Sequence, residues 1–489
     1  MVGELLLNEA FQSLTDMTML YRKSFIFLCV AFLMLLAVLT QSQMLIGSTV
    51  GSASSKDKDE QKHSKPVKVA MAMPSTKLTN QPAISHQSIL TIGASDIDLL
   101  KMQKRLQQRI ATDQQDYEAK LLSSIVAFQL GDTQHSIDEL NQLSQQAPHF
   151  HLAHLVRADF LASRFGPTNN LGNSDLTAEN KQIDQQLKAL RHEAKMRIIA
   201  NVEHPDSGMV PLQLLNLSHK VQTALVVDKS RHRLYLFKRE STNAPAKLIR
   251  DFYVSTGREP GNKSVEGDLR TPEGIYFITS WIPDNELPEK YGIGAFPTNY
   301  PNTLDRKLGK TGDGIWLHGT DRIYYSRPPL DSEGCVVLSN LDLNKIKHLI
   351  EPGQTPMVIT DKIEWVDEQQ WNQVRSQVLK SIERWRQDWE SLDVDRYLSH
   401  YAKEFWSGGH DIQSWRQYKS RIAKQKTYQK VDLSELSLFY YPQQASDGKP
   451  MVVAKFVQKY QSNNYQGEVN KRIYLGKEAD RWRILYEGR

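Results

Sequence analysis

The chain has only two cysteines, Cys29 and Cys335, in 489 residues. That count excludes a disulfide framework and a multi-cysteine zinc site. Excess charge of one sign is also missing: 61 Lys+Arg face 56 Asp+Glu, a net of +5. Spread over this length, that balance is no footprint of a nucleic-acid binder. With 26 glycines and 20 prolines the chain is neither collagen-like nor of low complexity. Its 40% hydrophobic and 24% charged residues are ordinary globular values. At about 100–200 residues per domain, the length calls for about three folded units.

One long apolar run is present. Residues 24–46 carry no charge, and none occurs between Lys23 and Lys56. The run reaches the ~20 residues that a membrane helix needs. Arg22 and Lys23 directly before it place residues 1–23 in the cytoplasm and the rest outside. The expectation is a single-pass inner-membrane anchor, with Cys29 as a small apolar residue inside it. A start at Met17 or Met19 would instead give a short basic leader, and cleavage would free the protein into the periplasm. Residues 47–94, rich in Ser, Lys, Gln and Pro, read as a disordered linker.

Residues 95–166 show helical periodicity through Leu99, Met102 and Leu106, then Leu121, Leu122, Ile125 and Val126. Gly131-Asp132 and Pro148 separate further helical runs, in a pattern similar to tetratricopeptide-like hairpins. Two roles stand for this region: docking of a protein or glycan partner, or packing against the rest of the chain. His149, His151 and His154 cluster without a carboxylate or Cys at ligand spacing and are not read as a metal site. Residues 167–217 read as a linker holding one charged helix near Asn180–Val202.

From residue 218 to 362 the period becomes strand-like. Short runs at 224–227, 233–237, 250–255, 274–279, 314–318, 335–338 and 356–360 predict an all-β sandwich or barrel. The loop 257–267 lacks a P-loop pattern and is expected to be a mobile loop near a cleft. The basic run Lys229–Arg233 is read as a solvated face. From 366 to 489 a long amphipathic helix precedes several strands, which predicts an α+β domain.

The chemistry is expected in two segments: GlyIleTrpLeuHisGlyThr at 314–320 and SerGluGlyCysValValLeuSerAsn at 332–340. A thiol is a strong nucleophile as its thiolate, and an imidazole can take its proton. Cys335 is thus the candidate nucleophile and His318 the general base and acid. Gly334 permits a tight turn in which the Gly334 and Cys335 N–H groups converge on an oxyanion. Ser332 would hold that turn. The exported part contains no second thiol.

His318-Gly319 followed by Ser332-x-Gly334-Cys335 resembles the signature of the L,D-transpeptidase catalytic domain of the YkuD type. SerThrGly at 255–257 and ThrProGluGly at 271–274 are similar to that family's supporting elements. The resemblance covers about residues 220–362. It implies a mainly-β domain with a cleft, a periplasmic cysteine enzyme of peptidoglycan stem peptides, and no metal or cofactor. In the family's commonest form an Arg lies two residues after the Cys; here that position is Val337. The stretches 295–305 and 310–319 resemble a branch that includes the cell-shape L,D-carboxypeptidases and a lipoprotein-releasing hydrolase. Trp385, Trp389, Tyr397, Tyr401 and Phe405, with 456–460 and 481–487, resemble the nuclear-transport-factor-2-like (NTF2-like) fold that such carboxypeptidases carry at 366–489. The tryptophans there are expected to fill the core, the other reading being a glycan- or peptide-binding pocket.

Together these readings imply a multidomain chain: anchor, linker, tetratricopeptide-like helices, catalytic domain and NTF2-like domain. The expected reaction is acyl-enzyme formation at the diamino acid carbonyl with release of D-Ala, completed by water. Cross-linking, lipoprotein release and a catalytically inactive wall-binding scaffold are the alternatives. The expected partners are stem peptides, the inner membrane and a protein on the helical region, with no nucleic acid.

Overall fold

The computed structural model describes residues 95–164, 181–241, 243–442 and 449–488. The anchor and linker readings for 1–94 lie outside them. No helix among the described residues is long and apolar enough to cross a membrane.

Five helices come first: α1 (Asp96–Thr112), α2 (Tyr117–Gln129), α3 (Thr133–Gln146), α4 (His151–Ala162) and α5 (Lys181–Val202). Side chains of Ser95, Asp116 and Asp132 cap the first three by accepting backbone N–H bonds. Gly131, at φ +93, makes the reversal before α3. Leu99, Met102, Leu106, Leu121, Leu122, Ile125, Leu140 and Phe160 fill their shared core, the face that the helical period marked.

Within the segment read as a linker, residues 210–216 form two short strands. β1 (Val210–Pro211) pairs with β14 (Trp365–Val366). β2 (Leu214–Asn216) adds to the edge of the C-terminal sheet. The five-stranded sheet has the order β5 (Lys247–Tyr253), β4 (Arg233–Lys238), β3 (Thr223–Asp228), β13 (Pro356–Thr360), β7 (Gly274–Phe277). Both of its faces are buried, which explains the unbroken apolar run at 224–227. Leu225 and Val227 point to one core with Phe296, Leu317 and Val336. Ala224 and Val226 point to the other, with Phe439, Val453 and Tyr474 of the C-terminal domain. A four-stranded sheet, β12 (Val336–Val337), β10 (Trp316–His318), β9 (Gly294–Pro297), β8 (Ile282–Pro283), covers the first face. The parallel pair β6 (Thr256–Gly257) and β11 (Leu330–Ser332) and the helices α6 (Thr303–Lys307) and α7 (Asn340–Ile346) complete this region.

The C-terminal domain packs α8 (Glu368–Glu390), α9 (Val394–Leu398) and α10 (Ile412–Ala423) against a long curved sheet. Its strands are β15 (Tyr401–Ser407), β16 (His410–Asp411), β17 (Gln429–Tyr440), β18 (Met451–Ser462), β19 (Tyr465–Glu478) and β20 (Arg481–Gly488). The order is β16-β15-β20-β19-β18-β17-β2.

Two sequence expectations are corrected. The basic run 229–233 is not a solvated face. Lys229, His232 and Arg233 are buried. Lys229 pairs with Glu273 at 2.8 Å, and Arg233 pairs with Glu118 of α2 at 2.7 Å and with Asp251. Glu118 also takes Arg197 at 2.7 Å and Arg109 at 3.1 Å. Burial works to raise the Glu118 carboxyl, but the three guanidiniums overcome it and hold it far below its ordinary value. This cluster fastens the helices to the catalytic sheet, so the packing role stands for the helical region. The loop 257–267, expected to be mobile, is tied from within. Asp268 accepts from Ser264 N–H at 2.8 Å, Val265 N–H at 3.1 Å and Lys263 Nζ at 2.8 Å. Lys229 Nζ reaches the Gly261 carbonyl at 2.5 Å.

Candidate active site

β10 and β12 lie side by side and parallel, with Leu317 opposite Val336 and His318 opposite Val337. This register brings residues 17 positions apart onto one sheet edge. Parallel partners share a face, so His318 and the Val337 side chain stand together. Cys335 directly precedes β12, on the same face by alternation. The apolar neighbours Leu317 and Val336 point inward and lock the pair.

His318 is buried. Its Nδ1 lies 2.6 Å from the Gly319 carbonyl, which can only accept, so Nδ1 carries the proton. Nε2 is left with a lone pair, the form a general base needs. Burial pushes the imidazole down to about 4, while the bond to Gly319 works the other way. Tyr291 packs edge-on against the ring at 4.9 Å and also meets Trp316 at 5.1 Å.

Cys335 is a free, half-buried thiol. It donates to the Gly314 carbonyl at 3.3 Å rather than to His318. Burial pushes the thiol up to about 11, opposed by a backbone hydrogen bond from Trp316 and by Lys290. The resting pair is therefore a neutral imidazole and a neutral thiol.

Ser332 organises the turn around the thiol. Its Oγ accepts from Gly334 N–H at 3.1 Å and donates to the Cys335 carbonyl at 2.7 Å. The Gly334 N–H is thus engaged with Ser332. Gly334 sits at φ +127, and a Cβ there would stand 2.8 Å from the Arg270 carbonyl. No side chain fits this approach.

Asn340, a residue without an assigned role in the sequence, is the second organiser. Its Oδ1 accepts from Ile293 N–H and Thr320 N–H, both at 3.2 Å, and its Nδ2 donates to the Thr320 carbonyl at 2.6 Å. A Cβ on Gly319 would lie 2.1 Å from Asn340 Oδ1, so glycine is needed for this contact. Ser339 caps α7 by accepting from Asp342 N–H at 3.0 Å, which frees Asn340 for this tertiary role. No sequence period marks Asn340 or Tyr291; their roles depend on loops that meet only in the fold.

Two cavities among the described residues, of about 770 and 510 Å³, lie away from the thiol. The larger is in the C-terminal domain and is lined by Trp389, Trp415, Tyr397, Lys419 and Glu487. Trp371 and Trp385 do fill the core, but Trp389 and Trp415 face this cavity. Lys419 Nζ lies over Trp415 at 4.5 Å and Trp389 at 4.9 Å, and burial pushes the amine down to about 8. Burial works to raise Glu487, but Lys471 and Lys419 overcome it and hold the carboxyl at about 2.

Two family profiles match this chain. The profile of the L,D-transpeptidase catalytic domain, YkuD, matches residues 222–359. That of the Cds6 C-terminal NTF2-like domain matches residues 377–488. Neither matched segment includes the helices at 96–202, and the tetratricopeptide likeness has no support from them. Among solved structures, Bd1075 of Bdellovibrio bacteriovorus is 31% identical, with a TM-score of 0.50, covering 57% of this chain and 97% of that one. The helical cell shape determining protein Pgp2 of Campylobacter jejuni is 25% identical, with a TM-score of 0.49, covering 57% of this chain and 95% of that one. A comparison with curated proteins finds no match.

Proposed function

We propose, for a chain that belongs to the YkuD family of L,D-transpeptidase catalytic domains and is a cysteine enzyme of peptidoglycan, that its reaction is L,D-carboxypeptidation of stem peptides. The family acts on peptidoglycan stem peptides. The observation that carries the hydrolytic reading is Val337. It stands beside His318, buried, where the common form of the family has an arginine. Without that guanidinium the position beside His318 offers no charge to hold an acceptor stem, and water takes the acyl group.

The substrate is a tetrapeptide stem whose third residue, a diamino acid, is joined through its L-centre to terminal D-Ala. His318 Nε2 takes the Cys335 proton, and the sulfur attacks the diamino acid carbonyl. The Cys335 N–H stabilises the resulting oxyanion. The C–N bond breaks, and D-Ala leaves with the proton from His318. Water, deprotonated by the same Nε2, cleaves the thioester. A tripeptide is released, and the proton returns to the thiol. One water is consumed and one D-Ala is freed.

Residues 24–46 would hold this enzyme in the inner membrane with its folded part in the periplasm. Membrane fractionation with carbonate extraction tests that placement. Stem trimming of this kind would act on cell shape, as in the carboxypeptidases that the sequence resembles.

The deciding assay incubates the full chain in mild detergent with defined muropeptides, alongside Cys335→Ala. Tripeptide and D-Ala, absent with Cys335→Ala, are the expected products. Cross-linked dimers would replace carboxypeptidation with transpeptidation. No Cys335-dependent product from any stem, lipoprotein-linked stems included, would leave only the scaffold reading.

A further inference from the structure

The segment that joins the two reactive residues has no regular structure from Gly319 to Pro329. Within it, Asp321 closes one turn, accepting from Ile323 N–H at 3.1 Å through Oδ1 and from Tyr324 N–H at 3.0 Å through its carbonyl. An irregular loop of this length pays conformational entropy at every residue, so it needs anchors from elsewhere to hold one shape.

Those anchors are largely in the helical region. Tyr325 N–H donates to the His149 carbonyl at 3.0 Å. The Tyr325 ring packs into the edge of the helical core, 4.3 Å from Phe150 and 5.8 Å from Tyr117 between centroids. Ser326 Oγ donates to Glu193 of α5 at 2.7 Å. The Tyr324 ring meets His151 edge-on at 5.5 Å. Glu193 is itself fixed by Arg197, through Nε at 3.0 Å and Nη2 at 2.7 Å. The same guanidinium reaches Glu118 at 2.7 Å and lies 3.8 Å over the ring of Tyr253. Tyr253 OH then donates to the Arg327 carbonyl at 2.9 Å. Three consecutive loop residues, 325 to 327, are thus held through one network. Arg327 is close enough to bias the ionisation of both His318 and Cys335.

We infer that the helical region is a clamp on the loop between His318 and Cys335, and that Tyr325 and Ser326 are positioning residues for the cysteine chemistry. The helices lie outside both matched segments, so this device is an addition to the catalytic domain. The inference rests on the peptidase reading above. It assigns the helices a task in turnover: when they are seated, the loop, Arg327 and the cleft wall keep one arrangement.

The test uses the full chain in detergent with four proteins: wild type, Tyr325→Ala, Tyr325→Phe and Leu143→Ala. Leu143 is buried in the helical core on α3, which makes none of the loop contacts named above, so its truncation lowers stability and leaves those contacts in place. Turnover of a tetrapeptide muropeptide is measured at 25 °C. The rate of Cys335 alkylation by iodoacetamide and the melting temperature are measured on the same samples. Tyr325→Ala is expected to lose at least ten-fold in kcat and to alkylate at least three-fold faster. Tyr325→Phe, which keeps the ring and the N–H, should return within two-fold of wild type. Leu143→Ala should melt lower yet keep kcat within two-fold. Tyr325→Ala within two-fold of wild type overturns the clamp. So does Leu143→Ala losing as much turnover as Tyr325→Ala at the same fall in melting temperature. If wild type forms no product, the peptidase reading fails instead, and the alkylation rates still decide whether Tyr325 orders the loop.

Discussion

Replacing Asn340 by alanine removes three hydrogen bonds from the loops beside His318. At roughly 0.5–1.5 kcal/mol each, the net loss comes to about 3 kcal/mol. Asn340 is half-buried, so water recovers part of this, and about 2 kcal/mol is expected. For a domain of this size that lowers the melting temperature by roughly 4–8 °C. The effect on chemistry is more specific. The Thr320 N–H and the Gly319 carbonyl belong to one planar peptide unit. Asn340 Oδ1 holds the N–H end, and His318 Nδ1–H donates to the carbonyl end. Freeing that plane lets the carbonyl turn away, and the proton can then move to Nε2, where it blocks the base. The kcat/KM on tetrapeptide stems should fall about 10–100-fold, the range found for partners that orient a metal-bound imidazole. Asn340→Asp keeps the acceptor and loses the donor, so it should lie between alanine and wild type. Calorimetry and muropeptide kinetics on the same samples check both effects. An Asn340→Ala protein that melts lower but keeps kcat/KM within two-fold would refute the link from Asn340 to the His318 tautomer.

Further outcomes follow from the same geometry. The active form pairs neutral His318 with neutral Cys335, so kcat/KM should be flat from about pH 5 to about pH 9, its acid limb set near the His318 value of about 4; an acid limb near 6.5 would contradict the burial of that ring. Because His318 is depressed in the fold, the unfolded chain binds the extra proton first. Stability is complete above about 6.5 and is lost as pH falls toward about 4, by up to about 3 kcal/mol from this group, which acid titration of chemical unfolding reads. Gly334→Ala forces a Cβ to 2.8 Å from the Arg270 carbonyl at φ +127, and should abolish turnover while Cys335 stays titratable with a thiol reagent. Glu118→Ala leaves Arg109, Arg197 and Arg233 facing one another without their shared carboxylate, which should cost about 3–5 kcal/mol by denaturant unfolding; a loss under 1 kcal/mol would show that water or an anion replaces it.

Much of the site was legible in the chain. His318 and Cys335 stand in short Gly-containing motifs whose chemistry is local: a thiol, a base and a tight turn. Ser332 could be read as a turn-holder because its partners, Gly334 and Cys335, lie two and three residues away. The strands were legible where alternation or a continuous apolar run marked them, as at 224–227. Burial of 229–233 was not, because lysine and arginine look solvent-seeking until Glu118, Asp251 and Glu273 arrive from distant segments. The short strand 214–216 was missed for a similar reason. Its hydrogen-bond partner, β17, begins more than 200 residues later.

By itself, then, the sequence put forward a candidate nucleophile and base, the helical, β and α+β order of the segments, and the valine at 337, because each depends on residue type and near spacing. The tertiary structure decided what long-range contacts alone can set. It put His318 on a strand parallel to the one that Cys335 directly precedes, took the Gly334 N–H for Ser332, and placed Asn340 on the peptide beside the imidazole. It also seated Tyr325 in the helices. Hydrogen bonds and burial depend on which distant groups arrive, and that information exists only once the chain has folded.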